Sequence, residues 1–249
     1  MELPDILREY IGADEPVDTS CRSNAKTFQT DKGYFIKCDA PGELAREYVM
    51  TKLFHRMGFG AEAVKYVTSG MDYLVTKKVP GDVLTKAVSD PLLVCGVLAD
   101  SLKRLHSQPV DPSAVPVSSR YARYMEAADG PEDGGDYDPL VYTRKYRLSS
   151  KSECREVMLA DRSLLKCDTL IHGDACLPNI AQENGKFTSF IDVGMAGLGD
   201  RHIDLYWALW TLECNLKTDA YNDVFLDLYG RECVDEDMFR VIAAFEAFG

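Results

Sequence analysis

The segment at residues 170–194, LIHGDACLPNIAQENGKFTSFIDVG, constrains this chain more than any other part of it. Asp174 and Asn179 stand five residues apart in a stretch where a glycine and a proline exclude a regular helix. A turn at ENGK and a strand at FTSFI would bring Asp192 back beside them. Each of these residues alone is typical of a turn. Together, two carboxylates and an amide oxygen predict a site for a hard cation such as Mg²⁺.

Composition excludes several classes of function. A net charge of −12 on 249 residues disfavours a nucleic-acid partner and favours a cationic one. The first residues, MELPDILREYIG, lack the basic start and apolar core of a signal peptide, and the longest apolar run is too short to span a bilayer. Eight scattered cysteines without a CxxC pair favour reduced thiols. We therefore expect a cytoplasmic protein that binds a small cationic partner, and neither nucleic acid nor membrane. We also expect a monomer.

The order of strand-like and helical runs predicts two lobes. Two strand-like runs flank a turn at Asp31–Gly33, a helix follows over Gly42–Gly58, and two more strand-like runs come after it. Beyond residue 79 the pattern is mainly helical, with Asp90 as the N-cap of the first helix. The sequence therefore predicts an α+β fold, with a small β-rich N-terminal lobe at residues 1–79 and a larger, mostly helical C-terminal lobe at residues 80–249.

An acidic stretch lies within the second predicted lobe. Residues 125–143, MEAADGPEDGGDYDPLVYT, hold six acids and no Lys or Arg, which predicts a loop. Such a loop is either a solvated linker or a surface that faces a cationic substrate, and the sequence does not favour one over the other.

The motif HGDACLPN followed by IDVG resembles the catalytic and metal-binding segments of the aminoglycoside phosphotransferase family, relatives of the protein kinases. The match is closest to the aminoglycoside 3'-phosphotransferases. Protein kinases carry H-R-D-x-x-x-x-N and D-F-G at these places, so Gly173 replaces the arginine and Val193 the phenylalanine. The resemblance implies a protein-kinase-like fold. It also implies an ATP- and Mg²⁺-dependent transfer of the γ-phosphoryl group to a hydroxyl of an aminoglycoside antibiotic, an activity that causes antibiotic resistance.

The resemblance also implies roles for individual residues. Asp174 would be the catalytic residue that orients the acceptor hydroxyl and takes its proton, and Asn179 and Asp192 would hold the magnesium. Lys37, at the end of the strand GYFIK, matches the lysine that binds the phosphates, and Glu47 on the next helix matches its ion-pair partner.

Five further residues match the family's binding positions. Ser23 matches the loop that covers the phosphates, and Phe35 matches an aromatic ring that stacks on adenine. Lys77 and Val79 fall in the segment KKVP, which would be the hinge at the adenine edge. Glu246, in the C-terminal AFEAFG, matches an acid that approaches the aminoglycoside.

Other positions match as supports or depart from the family. The resemblance implies that Asp204 is a buried anchor for the catalytic loop and that His172 is structural. Met195 and Trp210 replace arginines of the family, and these replacements bear on the acceptor more than on the phosphoryl transfer.

Three alternatives stay open at this point. The first is a kinase of the same fold that acts on another amino-alcohol, sugar amine or antibiotic. The second is a nucleotide-binding pseudoenzyme, although the lysine and both aspartates are present. The third is a thiol hydrolase that uses Cys176 with His172, although no oxyanion-forming motif accompanies them. A protein kinase is disfavoured because the arginine of H-R-D and an A-P-E segment are missing.

Overall fold

The computed structural model describes residues 3–20, 25–130 and 145–248. The chain packs into two compact units. The first unit consists of Met1–Gly81 and Thr188–Gly194, and the second consists of Asp82–Phe187 and Met195–Gly249. The domain boundary at residue 79 stays a prediction.

The first unit is a five-stranded antiparallel sheet with one helix. The strands follow the order β1-β2-β3-β5-β4. The elements are a 3₁₀ helix (Asp5–Tyr10), β1 (Val17–Asp18), β2 (Lys26–Gln29), β3 (Tyr34–Asp39), α1 (Ala45–Arg56), β4 (Ala63–Ser69) and β5 (Met71–Lys77). The predicted turn at Asp31–Gly33 is confirmed: Gly33 has a φ of 79°, and the amide of Thr30 donates to the carbonyl of Tyr34 at 2.9 Å.

One face of this sheet forms an apolar core. Its buried members are Leu7, Phe28, Ile36, Cys38, Tyr73 and Val75. Because side chains alternate along a strand, the burial of Ile36 and Cys38 against this core puts Phe35 and Lys37 on the opposite face of β3.

Helix α1 begins three residues later than Gly42, where the sequence predicts its start. The buried carboxylate of Asp72 on β5 explains the difference, because it accepts hydrogen bonds from the amides of Gly42 (2.9 Å) and Leu44 (3.2 Å). Gly42 has a φ of 93°, which an α-helix does not contain. Asp72 therefore fixes the turn that leads into α1.

The second unit is mostly helical. Its helices are α2 (Pro91–His106), α3 (Ser119–Asp129), α4 (Lys151–Asp161), α5 (Arg201–Leu216), α6 (Asn222–Tyr229) and α7 (Met238–Glu246). Its short strands are β6 (Asp82–Val83), β7 (Thr169–Ile171), β8 (Ile180–Glu183) and β10 (Gly197–Gly199). β9 (Lys186–Phe190) follows β8, and its last three residues belong to the first unit. Short 3₁₀ helices lie at Leu84–Ala87, Arg162–Leu164, Leu177–Asn179, Val193–Met195 and Arg231–Cys233.

Helix α2 lies at the centre of this unit, where it packs against α5 and α6. The predicted N-cap is confirmed, because the carboxylate of Asp90 accepts a hydrogen bond from the amide of Leu93 at 3.1 Å. Leu98, Leu102 and Leu105, spaced three or four apart, are fully buried. β7 pairs antiparallel with β10, and β6 pairs antiparallel with β8.

The loop predicted over residues 125–143 is wrong at its start. Residues 125–129 complete α3, because Tyr124 and Ala128 are buried four residues apart, whereas the acids Glu126 and Asp129 are exposed. Helix α3 ends at Asp129, and the carbonyl of the next residue, Gly130, accepts a hydrogen bond from Arg155 at 2.7 Å. Residues 131–143 lie outside the described residues.

Of the helices that the structure describes, none combines the length and the apolar character needed to span a bilayer. The seven cysteines within the described ranges are free thiols.

Candidate active site

Three predicted site residues meet in the first unit, and we call them the lysine cluster: Lys37, Glu47 and Asp192. The amine of Lys37, on β3, lies 2.7 Å from Oε2 of Glu47 on α1 and 2.7 Å from Oδ1 of Asp192. The side chain of Lys37 is 16% exposed and that of Asp192 is 47% exposed. The predicted ion pair is therefore present, and Asp192 presents its carboxylate to solvent beside it.

The two carboxylates keep Lys37 charged. Burial by itself would lower the pKa of Lys37, but Glu47 and Asp192 together raise the pKa above its ordinary value. The segment that carries Asp192 is fixed to α1, because Arg46 donates a 3.0 Å hydrogen bond to the carbonyl of Gly194. Asp192 has a φ of 56°, a left-handed conformation that aspartate tolerates better than most residues.

The residues predicted to bind the base lie on or near the strands of this unit. Phe35 is half-buried and shares a face of β3 with Lys37. Lys77 ends β5 and forms an exposed ion pair with Glu62 at 2.6 Å, so its amine has a protein partner. The backbone amide and carbonyl of Val79 make no hydrogen bond with any described residue. A strand end with free backbone groups suits recognition of a base edge.

In the second unit, the loop after β7 brings Asp174 and Asn179 together. The Asn179 side-chain amide donates to the backbone carbonyl of Asp174 at 3.0 Å and to its Oδ2 at 2.8 Å. Asn179 is buried, whereas the side chain of Asp174 is 30% exposed. The predicted convergence of these two side chains is confirmed. Because of it, the Asp174 carboxylate is oriented yet accessible.

The loop that carries Asp174 is anchored by Asp204, on α5. This fully buried carboxylate accepts 2.7 Å hydrogen bonds from the amides of His172 and Gly173 and contacts Nε2 of His106 at 3.1 Å. His172 is buried and its Nδ1 accepts the amide of Asp174 at 3.2 Å, which is a structural role. The predicted roles of Asp204 and His172 are confirmed.

The backbone conformation and close packing at Gly173 explain why no arginine stands at this position of the loop. The residue has a φ of 80°, and a Cβ atom there would lie 2.5 Å from the carbonyl oxygen of Met195. No side chain fits at that separation, so the replacement of the protein-kinase arginine by glycine follows from close backbone packing.

Cys176 is not placed as a nucleophile. Its thiol is buried and donates a 3.4 Å hydrogen bond to Oδ1 of Asp174. Burial, followed by the charge of Asp174, raises the pKa of Cys176, which disfavours the thiolate that a hydrolase would need. The contacts of Cys176 therefore argue against the thiol-hydrolase alternative.

Asn179, in the second unit, and Asp192, in the first unit, each carry an oxygen of the kind that Mg²⁺ prefers. Oδ1 of Asn179 and Oδ2 of Asp192 make no hydrogen bond with the described residues, so each offers one unused oxygen. Mg²⁺ prefers such hard oxygens and needs only one or two from protein. Among the described residues no group of three or more His, Cys, Asp or Glu side chains forms a complete metal cage.

Glu246 is buried at the end of α7, and one of its oxygens is already engaged. Oε1 accepts hydrogen bonds from Arg120 at 2.8 Å, from Trp207 Nε1 at 2.8 Å and from the hydroxyl of Tyr124. Oε2 makes no hydrogen bond with a described residue. Its predicted contact with the acceptor stays a prediction, and only Oε2 is left for it.

Ser23 lies outside the described residues. Trp210, one of the replaced arginines, is half-buried and packs edge-on against Trp207, with their ring centroids 5.3 Å apart.

Comparison with known proteins identifies the family. A family model described as the phosphotransferase enzyme family matches residues 22–244. A probable aminoglycoside 3'-phosphotransferase of Lactococcus lactis subsp. lactis (strain IL1403) is 33% identical over 253 residues, which cover 100% of this chain and 95% of that protein. This chain belongs to the phosphotransferase enzyme family. The resemblance seen in HGDACLPN and IDVG is thereby confirmed, and the phosphotransferase is an enzyme of the small-molecule kinase type.

Solved structures confirm the fold of the phosphotransferase. The crystal structure of a type VIII aminoglycoside 3'-phosphotransferase has a TM-score of 0.72 at 22% identity, over 98% of this chain and 97% of that chain. An aminoglycoside phosphotransferase of Streptomyces rimosus ATCC10970, in complex with ADP and streptomycin, has a TM-score of 0.69 at 20% identity, over 98% and 96%. The predicted α+β, protein-kinase-like fold is therefore confirmed.

Several residues of the phosphotransferase site were not predicted from the sequence. Arg120, Tyr124 and Trp207 surround Glu246, and Asp72 fixes the start of α1. Only Asp72 carries a sequence signal, because it is a lone acid inside the strand MDYLV. The other three belong to ordinary amphipathic helices, and nothing in the sequence pairs them with Glu246.

Proposed function

We propose that this phosphotransferase moves the γ-phosphoryl group of ATP to a hydroxyl of an aminoglycoside, and that it needs Mg²⁺. The observation that carries the proposal is the contact of the Lys37 amine with Glu47 and Asp192, both at 2.7 Å. A buried cation steadied by a helix glutamate is the phosphate-binding device of the kinase fold. The choice of an aminoglycoside as the acceptor rests on the similarity to aminoglycoside phosphotransferases.

The first unit would bind the nucleotide. Lys37 would bind the α- and β-phosphates, and Glu47 would hold the amine in place. Phe35 would stack on adenine, the segment of Lys77 and Val79 would meet the base edge, and Ser23 would lie over the phosphates. The half-buried ring of Phe35 and the free backbone groups of Val79 support these roles.

Asp174 would orient the acceptor hydroxyl and accept its proton. The 2.8 Å hydrogen bond from Asn179 fixes the carboxylate, and the 30% exposure of Asp174 leaves room for an incoming hydroxyl. Phosphoryl transfer passes through a loose transition state, so positioning and charge neutralisation contribute more than a strong nucleophile. The proton would leave the hydroxyl late in the reaction.

Asn179 and Asp192 would hold the magnesium through their unused oxygens. When bound, the ion would neutralise charge on the phosphates. Asp192 would then serve both the ion and Lys37, since Oδ1 faces the amine and Oδ2 has no partner among the described residues.

A cationic acceptor agrees with the charge of the chain. The net charge is −12, and Oε2 of Glu246 is available for an ammonium group. The free thiols of the described cysteines support a cytoplasmic enzyme, where ATP is also present. Phosphorylation of the antibiotic there would confer resistance. We propose that the enzyme acts as a monomer and that neither nucleic acid nor a membrane is its partner.

The test is an ATP-turnover screen of the purified protein. ADP release is measured with streptomycin, with hygromycin B, and with pairs of aminoglycosides that differ only in the presence of the 3'-hydroxyl. We expect stimulation by the 3'-hydroxyl members, no product from their 3'-deoxy partners, and loss of turnover when EDTA removes magnesium.

Other results of the screen point to the alternatives. Stimulation by a neutral or anionic alcohol, and by no aminoglycoside, would support a kinase with another acceptor. ATP binding without turnover of any acceptor would support a pseudoenzyme. Turnover that persists in EDTA would contradict the magnesium assignment alone.

A further inference from the structure

Arg120, on α3, is a buried cation with an unusual set of contacts. Its Nη1 donates to Oε1 of Glu246 at 2.8 Å, and its guanidinium carbon lies 4.5 Å from the ring centroid of Trp207. Nη2 contacts the sulfur of Met195 at 3.1 Å. Nε is buried without a hydrogen-bond partner among the described residues. The unsatisfied Nε is a cost of holding the guanidinium in this place, so the other contacts of Arg120 must account for its position.

Glu246 holds the guanidinium from behind. The same Oε1 also accepts hydrogen bonds from Tyr124 and Trp207, so the carboxylate cannot turn away from Arg120. The Arg120 side chain is 7% exposed and that of Glu246 is 6% exposed. The ion pair is therefore rigid and largely removed from water. Charges interact more strongly in such a buried environment than they do in water.

The other end of the guanidinium faces the catalytic loop. Nη2 of Arg120 lies 3.9 Å from Oδ1 of Asp174, too far for a hydrogen bond but close enough for a strong charge interaction. Oδ2 of Asp174 is hydrogen-bonded to Asn179 at 2.8 Å. The carboxylate of Asp174 is thus constrained on both sides. Among the described residues, Arg120 is the cationic side chain within 4.0 Å of it.

The thioether of Met195 completes this arrangement. An acidic side chain at this position would compete with Asp174 for Nη2, whereas a sulfur atom at 3.1 Å is only a weak acceptor. The guanidinium therefore keeps its attraction for Asp174 without closing into a full ion pair. Among the described residues, Oδ1 accepts only the weak 3.4 Å hydrogen bond of the Cys176 thiol. A second lone pair of Oδ1 therefore stays available for an acceptor hydroxyl.

We propose that Arg120, fixed by Glu246 and Trp207, is a positioning residue that sets the orientation of the Asp174 carboxylate. The inference rests on the proposed function, in which Asp174 receives the proton of the acceptor. Glu246 then has two separate roles, because Oε1 holds Arg120 while Oε2 remains available for the acceptor.

The decisive variant removes both charges of the pair. Arg120→Met alone leaves the buried charge of Glu246 without its ion partner. We therefore expect this variant to lower Tm as well as kcat. In Arg120→Met/Glu246→Gln no charge is stranded, so we expect Tm to recover. At saturating acceptor, kcat stays about 100-fold low, the usual result of a small misplacement of a reacting group. The KM for ATP is unchanged. A double variant with kcat within about twofold of the parent would overturn the proposal and make the pair purely structural.

Arg155 supplies a matched control. It is also an arginine with an unpartnered buried Nε, and it binds the backbone carbonyls of Ala127 and Gly130 at 2.6 and 2.7 Å. Arg155→Met should lower Tm and leave kcat at the parental value. If Arg155→Met slows turnover as much as Arg120→Met, loss of stability explains both results and the proposal fails.

A second measurement separates this proposal from the proposed function. In an Asp174→Asn background, Arg120→Met should cause no further loss of kcat, because its effect passes through that carboxylate. A further loss equal to that seen in the parent would refute the positioning role. If instead Asp174→Asn by itself retains parental turnover, the assignment of Asp174 fails, and with it the proposed mechanism.

Discussion

The carboxylate of Asp204 accepts a 2.7 Å hydrogen bond from the backbone amide of Gly173. The contact crosses 31 residues of sequence and ties α5 to the loop that carries Asp174. The second oxygen of Asp204 binds the amide of His172 and the ring of His106. One buried charge therefore holds two consecutive peptide units of the catalytic loop.

This anchor predicts a pH-dependent loss of stability. Burial alone would raise the pKa of Asp204, but the hydrogen bonds of His106 and the loop amides bring the pKa below its ordinary value. A lowered pKa means that the stabilisation is present above about pH 4 and is lost as the pH falls through the folded-state value. We expect Asp204→Asn to reduce the free energy of unfolding by about 3–5 kcal/mol at pH 7.

Urea unfolding of the parent and of Asp204→Asn at several pH values checks this prediction. The difference between them should shrink as the pH is lowered from 5 towards 3. A difference that stays constant over that range would show that the charge of Asp204 does not carry the effect.

Asp174→Asn should slow turnover. The carboxamide keeps the shape of the side chain but cannot accept the proton of the acceptor, so we expect kcat to fall by about 100- to 10,000-fold. Steady-state kinetics with an acceptor identified in the screen measures the effect. Binding of ATP, measured by calorimetry, should match the parent. Parental turnover in the variant would contradict the role of Asp174.

The lysine cluster predicts two distinct nucleotide defects. Asp192→Ala should abolish the gain in ATP affinity that magnesium gives, since the variant lacks one of the two proposed ligands. Lys37→Ala should weaken ATP binding and slow transfer while this gain persists. Calorimetry with and without magnesium separates the two defects.

Lys86→Ala is the control for these variants, because it removes an exposed lysine whose amine is already paired with Asp82. We expect it to change ATP affinity much less than Lys37→Ala does. Equal magnesium dependence in Asp192→Ala and in the parent would show that another group holds the ion.

Salt should weaken capture of the acceptor more than binding of ATP. Each exposed ion pair contributes only about 0.2–1 kcal/mol, so a polycation must meet several acids at once. The Debye length falls from about 10 Å at 0.1 M salt to about 3 Å at 1 M, so the acceptor KM should rise over this range. Neutralising Glu132, Asp133 and Asp136 together should raise it at low salt.

A matched variant neutralises Glu9, Asp14 and Glu15, three exposed acids of the first unit. It makes the same change in net charge and should leave the acceptor KM unchanged. If the first triple variant also has a parental KM, the acidic stretch is a solvated linker and contributes nothing to the acceptor.

The sequence was most informative where short segments determine their own geometry. The Asp174–Asn179 contact and the two hairpin turns follow from glycine, proline and asparagine at fixed offsets. The anchor role of Asp204 came from the family resemblance, because nothing local pairs it with a loop 31 residues away.

Long-range partners could not be predicted. Arg120 and Glu246 are separated by 126 residues, and each reads as an ordinary helix residue until the helices pack together. The start of α1 was misplaced for a similar reason, since its turn depends on Asp72, which lies 30 residues beyond Gly42. Helix propensity depends on residues that are near in sequence, so it does not predict the effect of a carboxylate that a later strand supplies.

The first unit is discontinuous in sequence, and this sets an order for its biosynthesis. Phe190 packs against Phe54 with ring centroids 6.0 Å apart, and its amide donates to the carbonyl of Phe59 at 2.6 Å. A ribosome that has finished Gly81 must still add Asp82–Phe187 before these contacts can form. At about 5–20 residues per second this delay lasts roughly 5–20 s. During that interval Phe54 lacks its contact with Phe190, and the Lys37 amine has Glu47 but not Asp192 as a carboxylate partner.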